Sequence, residues 1–326
     1  MDLGIVTGET MSANPGTNMP SEEELALRFG RTRIGELCTK FIRTGFKFDA
    51  GMALNGRQYL VAYISAQSPF SDIPRAVETN VFAESFQLTR AQILNDYGKY
   101  DAATTFVAVI DTSTEIPHAV GALRIIEYAP NLGFKDVNDL VEDDPANPWI
   151  NEIKAHYFGP DEPYDPNLAW VRLSQRSGVD LRLEESLDIA THASVGDYRG
   201  KRGAINSVSM LFYHACLRYA LATSKKNLLA IFDLKPLYNL QQFGEPFHTY
   251  PDLEPHAYGG PYDTIPAYCV IDEAIDEAWS RFRNHNPEVF SVFVNGASLD
   301  EIALLPNEYF PETFSNEAVS LGVKDE

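Results

Sequence analysis

The segment that most constrains the fold is residues 183–233, where two strand-like runs flank a long helical run. Leu183 to Ala193 follows a strand pattern, and Asn227 to Asp233 (NLLAIFD) has the short apolar run of a buried strand. Between them, from Gly203 to Thr223, apolar residues recur along one face of a helix. A crossover helix of this kind usually joins neighbouring parallel strands. The sequence therefore predicts a parallel strand pair connected by this helix.

Other strand candidates are joined by short turns. Gln58 to Ser65, Thr105 to Ile110 and Ala119 to Ile126 are rich in β-branched and apolar residues. The residues DTSTEIPH between the last two are turn formers, so these two strands are expected to form an antiparallel hairpin. Strands and helices mix without strict alternation. We therefore predict an α+β fold with a mixed, mostly antiparallel central sheet flanked by helices.

The charge balance restricts the classes of partner. The chain has 46 acidic and 26 basic residues, a formal net charge of −20. Such a surface repels nucleic acid and anionic lipid over a Debye length of about 8 Å. The apolar run from Leu228 to Phe232 is far shorter than the roughly 20 residues that a membrane helix needs. We expect no nucleic-acid partner and no integral membrane segment.

The cysteine pattern argues against cross-links and metals. Cys38, Cys216 and Cys269 are widely spaced, with no CxxC pair, and the chain has no HExxH motif. We expect neither a disulfide framework nor a bound metal, and a reducing cytoplasmic location. The first residues lack the basic start and apolar run of a secretory signal.

The composition divides the chain into four parts. Residues 1–20 are expected to form a flexible N-terminal tail, and residues 21–285 a single domain. Within that domain, the stretch at about 128–166 is rich in Asp, Pro and Asn, which predicts an irregular insertion. Residues 286–326 are expected to form a C-terminal extension.

A glycine-bearing basic turn precedes the long helix. The unpaired N–H groups at a helix N-terminus attract anions. Gly200 and Gly203 would let a phosphate approach the backbone, and Arg199, Lys201 and Arg202 add positive charge to a strongly acidic chain. The alternative is an ordinary solvated turn before a helix.

This turn resembles the pyrophosphate loop of the GNAT acyltransferases. The loop pattern is Arg/Gln-x-x-Gly-x-Gly/Ala, and the segment from Tyr198 to Ala204 matches it except that Arg202 stands at the first glycine. The resemblance implies a GNAT-like sheet whose central parallel strands splay apart. It also implies an acyl-CoA or acyl-phosphopantetheine thioester as co-substrate. The donor-binding residues that it suggests are Val195, Arg199, Gly200, Lys201, Arg202, Gly203 and Ala204.

A second resemblance is to the autoinducer synthases and the related N-acyl amino acid synthases. It rests on Arg75, Val81-Phe82 and Glu84, on Tyr100-Asp101, on Gly121-x-x-Arg124, and on Tyr258 to Tyr262 with Pro266. This branch shares the GNAT fold and takes fatty acyl groups from acyl carrier protein. The resemblance implies a small-molecule amine as acceptor and acyl carrier protein as a possible partner. Phe82, Asp101 and Arg124 are the substrate-binding residues that it suggests, with Arg124 holding a carboxylate or pairing with Glu127 or Asp101.

Aminolysis of a thioester requires a base for the amine and an acid for the leaving thiolate. Glu185, Asp188 and His192 lie on or beside the strand before the basic turn, so they are the candidate bases. By alternation, Asp188, Ala190 and His192 are expected to share one strand face. Tyr238 resembles the tyrosine that protonates the thiolate in many GNAT enzymes. Structural roles for His192 and Tyr238 remain open alternatives.

Three functions are compatible with these features. The first is transfer of a fatty acyl group to an amino acid or similar amine. The second is acetyl transfer from acetyl-CoA, and the third is a noncatalytic thioester-binding or protein-interaction module. A wide apolar tunnel between the sheet and the 73–88 helix would favour a fatty acyl group, whereas a blocked tunnel would favour acetyl.

Overall fold

The computed structural model describes residues 20–44, 50–54, 57–86, 88–198, 208–242, 246–260 and 262–277. The helices are α1 (Glu22–Arg28), α2 (Arg31–Arg43), α3 (Asp72–Phe86), α4 (Arg90–Gly98), α5 (Lys135–Val141), α6 (Ile150–Tyr157), α7 (Pro166–Ser177), α8 (Val208–Ala222) and α9 (Leu234–Gln242). The strands are β1 (Ala50–Leu54), β2 (Arg57–Ser65), β3 (Thr104–Asp111), β4 (His118–Glu127), β5 (Ser186–Ser194), β6 (Asn227–Asp233), β7 (His248–Thr249), β8 (His256–Ala257) and β9 (Asp263–Val270).

These strands form one mixed sheet in the order β1-β2-β3-β4-β5-β6-β9-β7, with β8 also paired to β9. Every neighbouring pair is antiparallel except β5 and β6, which are parallel. The predicted hairpin of β3 and β4 is present. The predicted fold class, a mostly antiparallel sheet flanked by helices, is confirmed.

The parallel pair separates after three residues. Ser186, Leu187 and Asp188 pair with Asn227, Leu228 and Leu229, respectively. Beyond that point β5 continues to Ser194 beside β4, and β6 continues to Asp233 beside β9. The predicted splay between adjacent parallel strands is confirmed, and α8 lies between them in the chain.

Alternate residues of the central strands are buried on opposite faces of the sheet, under different helices. Leu228 and Ala230 of β6 belong to the core beneath α8 and α9. Leu229 and Ile231 face the opposite core, which α5, α6 and α7 cover. The helices α2 and α3 extend that second layer over β2, β3 and β4. The sheet is thus covered on both faces, which buries the splay between two helical layers.

The stretch at 128–166 is not irregular, contrary to the sequence prediction. It contains α5 and α6 and leads directly into α7. Trp149 is fully buried beside Leu140, Ile153 and Trp170. The Asn147 side-chain amide donates to the carbonyl oxygens of Leu140 (2.8 Å) and Glu142 (3.0 Å), which satisfies the C-terminal end of α5. The Asp and Pro residues mark the turns between short helices rather than a loop.

The predicted tail, apart from Pro20, and the predicted extension lie outside the described residues. Within the described part of the chain, no helix has the length and hydrophobicity required to cross a bilayer.

Gly121 of β4 provides a direct test of how closely α8 packs on the sheet. A Cβ atom at this position would lie 2.5 Å from Cζ of Phe212 and 2.7 Å from Cγ1 of Val208. We expect Gly121→Ala to lower the free energy of unfolding by about 1–3 kcal/mol, because the helix must shift to admit the methyl group. Urea unfolding would measure the change.

Gly98→Ala is the matched control, because nothing lies within 4 Å of the Cβ it would add at the end of α4. It should be neutral or slightly stabilising. Equal effects of the two substitutions would contradict the close contact between α8 and β4.

Candidate active site

The first turn of α5 bridges the two strands where they part. The backbone N–H of Asp136 donates to Oδ2 of Asp188 on β5 at 3.1 Å. The Oδ2 atom of Asp136 accepts from the backbone N–H of Ile231 on β6 at 2.9 Å. The side chain and the backbone amide of Asp136 therefore connect the two strands at the splay.

Asp136 and Asp188 form a buried carboxyl pair. Asp188 is fully buried and Asp136 is 8% exposed. Burial raises the pKa of Asp188 to about 7. Burial, together with the neighbouring charge of Asp188, also raises the pKa of Asp136. Because two adjacent buried carboxylates repel each other, the pair holds a shared proton near neutral pH.

A lysine and two tyrosines surround this pair. Lys135 forms an ion pair with Asp139 and lies 5.1 Å from the ring centroid of Tyr97. The hydroxyl of Tyr258 donates to Asp139. Burial raises the pKa values of both tyrosines, so their hydroxyls remain protonated and neutral. Lys135, a cation beside the pair, thus has its own carboxylate partner.

A second buried network brings together residues that the sequence singled out. Arg124, fully buried, donates from Nε and Nη2 to Glu78 at 2.9 and 2.7 Å, and from Nη1 to Asp101 at 3.3 Å. Arg75 also pairs with Asp101, at 2.8 Å. The hydroxyl of Thr191 donates to Glu78 at 2.6 Å. Arg124 therefore joins α3 to β4 and has the predicted partner Asp101.

Glu127, the other partner considered for Arg124, instead accepts from the Tyr219 hydroxyl at 2.5 Å. Phe82 lies on α3, with its ring 5.0 Å from that of Phe86, and packs against the apolar cluster over β4 and β5.

The strand β5 contains a bulge that separates two of the candidate bases. Arg124 is opposite Thr191 and Ile125 is opposite Ile189, so Ala190 is the extra residue. Asp188 consequently faces α5, whereas His192 faces α8, with its ring 5.0 Å from that of Phe212. The prediction that Asp188, Ala190 and His192 share one face is wrong, because the bulge shifts the alternation.

The remaining candidates lie at the ends of the splayed strands. Glu185 precedes β5 at the paired end, with Arg182 at 2.7 Å and Lys226 at 2.8 Å. The hydrogen bond from Lys226 lowers the pKa of this carboxyl, so Glu185 is a weak base at neutral pH. Tyr238 lies on α9, the helix after β6, and is 61% exposed.

Most of the predicted donor loop lies outside the described residues. These positions are Arg199, Gly200, Lys201, Arg202, Gly203 and Ala204. Val195 is described, and its N–H donates to the carbonyl oxygen of Val120 at 3.0 Å, just beyond β5. Val195 therefore lies at the open end of the splay.

A cavity of about 640 Å³ lies between α3 and the sheet. Its apolar wall is formed by residues of α2, α3 and β4, including Ile34, Ala76, Val77, Val81 and Ala119. Most of the remaining lining residues are polar or charged, so the cavity is amphiphilic rather than a purely apolar tunnel.

The polar end of the cavity contains a hydrogen-bonded cluster. The Tyr198 hydroxyl donates to Oδ2 of Asp111 at 2.8 Å and lies 2.8 Å from Nε2 of His118. Arg57 donates to Asp111 at 3.1 Å, and its guanidinium carbon lies 4.6 Å from the centroid of the Tyr198 ring. Despite its burial, Asp111 has a lowered pKa, because these donors and the N–H of Ser113 stabilise its charge. Among the described residues, no group of three or more His, Cys, Asp or Glu side chains is placed to hold a metal ion.

Sequence reasoning missed Asp136, Glu78 and the cluster around Asp111. Asp136 lies in the stretch interpreted as an irregular insertion, so no local pattern connected it with the splay. Glu78 is one residue of an ordinary helical segment, and its partners are distant in sequence. The available signal was helical periodicity, which could have placed Glu78 on the face of its helix that packs against the sheet.

Asp188→Asn tests the shared proton. A carboxyl whose pKa is raised on folding stabilises the native state below its unfolded value of about 3.9, and this contribution is lost as the pH rises through its folded value. The free energy of unfolding of the wild type should therefore fall by roughly 2 kcal/mol between pH 5 and pH 8 because of this group. An Asn side chain can donate to Asp136 at every pH, so the variant should show a flatter profile.

Urea unfolding at pH 5, 6, 7 and 8 measures this difference. The control is Asp180→Asn, because the Asp180 side chain is 70% exposed beside Arg182. If Asp188→Asn and Asp180→Asn both kept the wild-type profile, the shared proton would be disproved.

No protein-family model matches the chain, and no curated protein matches it closely enough to count as a relative. Solved structures are similar to it. FeeM, an N-acyl amino acid synthase from uncultured soil microbes, is 12% identical; the match covers 69% of this chain and 97% of that chain, with a TM-score of 0.44. The AHL synthase LasI is 12% identical over 66% of this chain and 91% of that chain, with a TM-score of 0.39.

Spermidine N-acetyltransferase from Vibrio cholerae is 11% identical; the match covers 66% of this chain and 98% of that chain, with a TM-score of 0.36. The chain is similar in fold, at low sequence identity, to an N-acyl amino acid synthase, an AHL synthase and an N-acetyltransferase.

Proposed function

We propose that this protein is an N-acyltransferase that moves an acyl group from a thioester to the amine of a small molecule. The observation that carries the proposal is the splay of β5 and β6. Beyond Asp188, the edge of β5 that faces β6 has no strand partner among the described residues. An open strand edge offers backbone N–H and C=O groups to an amide-containing chain such as phosphopantetheine.

The bulge at Ala190 lies on this open part of β5. Bulges redirect backbone groups and are frequent beside active sites. A backbone N–H directed into the splay can stabilise the oxyanion that forms when an amine attacks a thioester carbonyl. This role needs no particular side chain, which suits a segment that consists mainly of small and apolar residues.

The proton transfers are assigned to the carboxyl pair and to Tyr238. The amine nitrogen forms the new C–N bond and loses a proton, which a chain of waters carries to Asp188 or Asp136, while the C–S bond breaks and the thiolate leaves. Burial raises the pKa of Asp188 to about 7, which suits a general base at neutral pH. The exposed hydroxyl of Tyr238 then supplies the proton for the thiolate. Glu185 and His192 are less suited, because one is ion-paired and the other faces α8.

We propose a fatty acyl group, carried by coenzyme A or by acyl carrier protein, and an amino acid or similar amine as acceptor. Val77, Val81 and Phe82 of α3 form an apolar cluster with Ala193 and Val195 at the end of β5. An apolar surface beside the open end of the splay supports a long chain over an acetyl group. Each buried methylene is favourable by about 0.8 kcal/mol.

The basic turn is the proposed donor-phosphate site, and replacing Arg199 and Lys201 together by Ala tests it. Charge-assisted hydrogen bonds contribute about 1.5–3 kcal/mol each, so donor affinity should fall at least about tenfold. The matched control is Lys40→Ala with Arg43→Ala, two exposed positions of α2 that change the net charge equally. Calorimetry with coenzyme A measures both variants. Equal affinity in both would remove the site.

A series of acyl thioesters from about two to sixteen carbons, tested with a pool of amino acids, measures the activity itself. Turnover should rise with chain length until the apolar surface is filled. Intact mass spectrometry of the products identifies the acceptor. A preference for acetyl would indicate an acetyl-CoA-dependent enzyme, and no transfer from any thioester would contradict the proposed function.

A further inference from the structure

The cavity beneath α3 contains a positively charged group held in a defined position. Arg57 uses Nη1 to contact Asp111, stacks its guanidinium over Tyr198, and remains 46% exposed along its side chain. Asp111 itself is fully buried and accepts from three donors, so it fixes the arginine in place. An arginine anchored in this way keeps further N–H donors in a rigid fork that suits a carboxylate.

The second arginine of the cavity strengthens the same preference. Arg31, at the start of α2, also lines the space. Two arginines and two carboxylates, Asp111 and Glu84, line the cavity. Because Asp111 already accepts from its own donors, the exposed guanidinium groups are the ones that would receive an incoming anion. His118 and Tyr198 add hydrogen-bonding groups at the same end.

The opposite wall has different chemistry. Ile34, Ala76, Val77 and Ala119 line the cavity with small and branched apolar side chains. A volume of about 640 Å³ lies within the range for small-molecule sites. The occupant should therefore carry one carboxylate and one apolar group of moderate size. A simple alkyl chain would cover the exposed guanidinium groups of Arg57 and Arg31 without forming hydrogen bonds to them.

Arg124, which the sequence suggested as the carboxylate-binding residue, is engaged elsewhere. Its guanidinium is fully buried, paired with Glu78 and Asp101, and enclosed between the rings of Tyr97 and Phe106. Admitting a second carboxylate would mean breaking that network, which is costly for buried charges. Arg57 also pairs with a buried carboxylate, Asp111, but its side chain remains 46% exposed, so it can bind a second carboxylate without breaking that pair.

We propose that the cavity under α3 is the binding site for the acceptor, an amino acid with an apolar side chain. Arg57 and Arg31 receive its carboxylate, and Ile34, Ala76 and Ala119 contact its side chain. Val195 also lines the cavity and directly follows β5, so the bound amino acid lies beside the open end of the splay. The role of the bound amino acid as the acyl acceptor rests on the proposed function. The binding of an amino acid in this cavity does not depend on it.

Calorimetry without any thioester tests the binding. Leucine and phenylalanine should bind, and their amides, which lack the carboxylate, should bind at least about tenfold more weakly, a loss of about 1.4 kcal/mol. Arg57→Gln should weaken binding of the two acids by a similar factor and leave the amides unchanged. Arg28→Gln is the matched control, because Arg28 is a partly exposed arginine on α1 that pairs with Asp72 and does not line the cavity. It should bind both acids as the wild type does.

Two further variants keep the test decisive if Arg57→Gln fails to fold. Arg31→Gln leaves Asp111 and its partners intact, and it should also weaken the acids selectively. Ala119→Leu places extra volume inside the cavity and should weaken acids and amides alike. Binding of acids and amides with equal affinity, or binding that both arginine variants and Ala119→Leu leave unchanged, would overturn the proposal. Tight binding of a free fatty acid without any response to amino acids would overturn it in favour of an acyl-tail pocket.

The outcomes separate this proposal from the proposed function. Selective amino-acid binding without acyl transfer would uphold the site and contradict the acyltransferase. Acyl transfer to an amino acid that is insensitive to Arg57→Gln, Arg31→Gln and Ala119→Leu would uphold the acyltransferase and overturn the site.

Discussion

The structure depends on how the gap between β5 and β6 is closed. Parallel strands that separate after three residues leave backbone groups that must find other partners in a buried layer. Asp136 connects the two strands where they part, since its amide donates to the Asp188 side chain of β5 and its carboxyl accepts from the backbone N–H of Ile231 on β6. The cost is a pair of buried carboxyl groups, which the protein tolerates because one proton is shared between them. The same feature stabilises the splay and places an acid–base group within it.

A second set of buried charges determines the position of α3. Arg124 is enclosed between aromatic rings and neutralised by Glu78 and Asp101. Removing one partner of such a network leaves an uncompensated charge, which is strongly destabilising. The network therefore fixes α3 relative to β4. The position of α3 in turn sets the width of the cavity above Ala119, so a purely structural ion pair shapes a site that it does not line.

Sequence reasoning succeeded where the pattern was long or bounded by turn residues. The β3–β4 hairpin and β6 were located to within a residue or two, because alternation and flanking turn formers agree there. It failed at Ala190, where one extra residue reverses the face that His192 presents. It also failed in the 128–166 stretch, where short helices are stabilised by Trp149 and Asn147 rather than by their own periodicity. Contacts between residues that are distant in sequence decide the structure at both places, and the composition of a segment does not show these contacts.

The sequence by itself determined the β3–β4 hairpin, the excess of acidic residues, and the parallel pair joined by a long helix. It also identified Asp188, Asp101 and Arg124 as residues of interest. Only the tertiary structure decided what each of them does. Asp188 pairs with Asp136 and Arg124 with Glu78, and Arg57 comes to lie over Tyr198, far away in the chain. The physical reason is that the pKa of a carboxyl, and the availability of an arginine, depend on burial and on the nearest charges. Burial and the nearest charges are both fixed only when segments that are distant in sequence pack together.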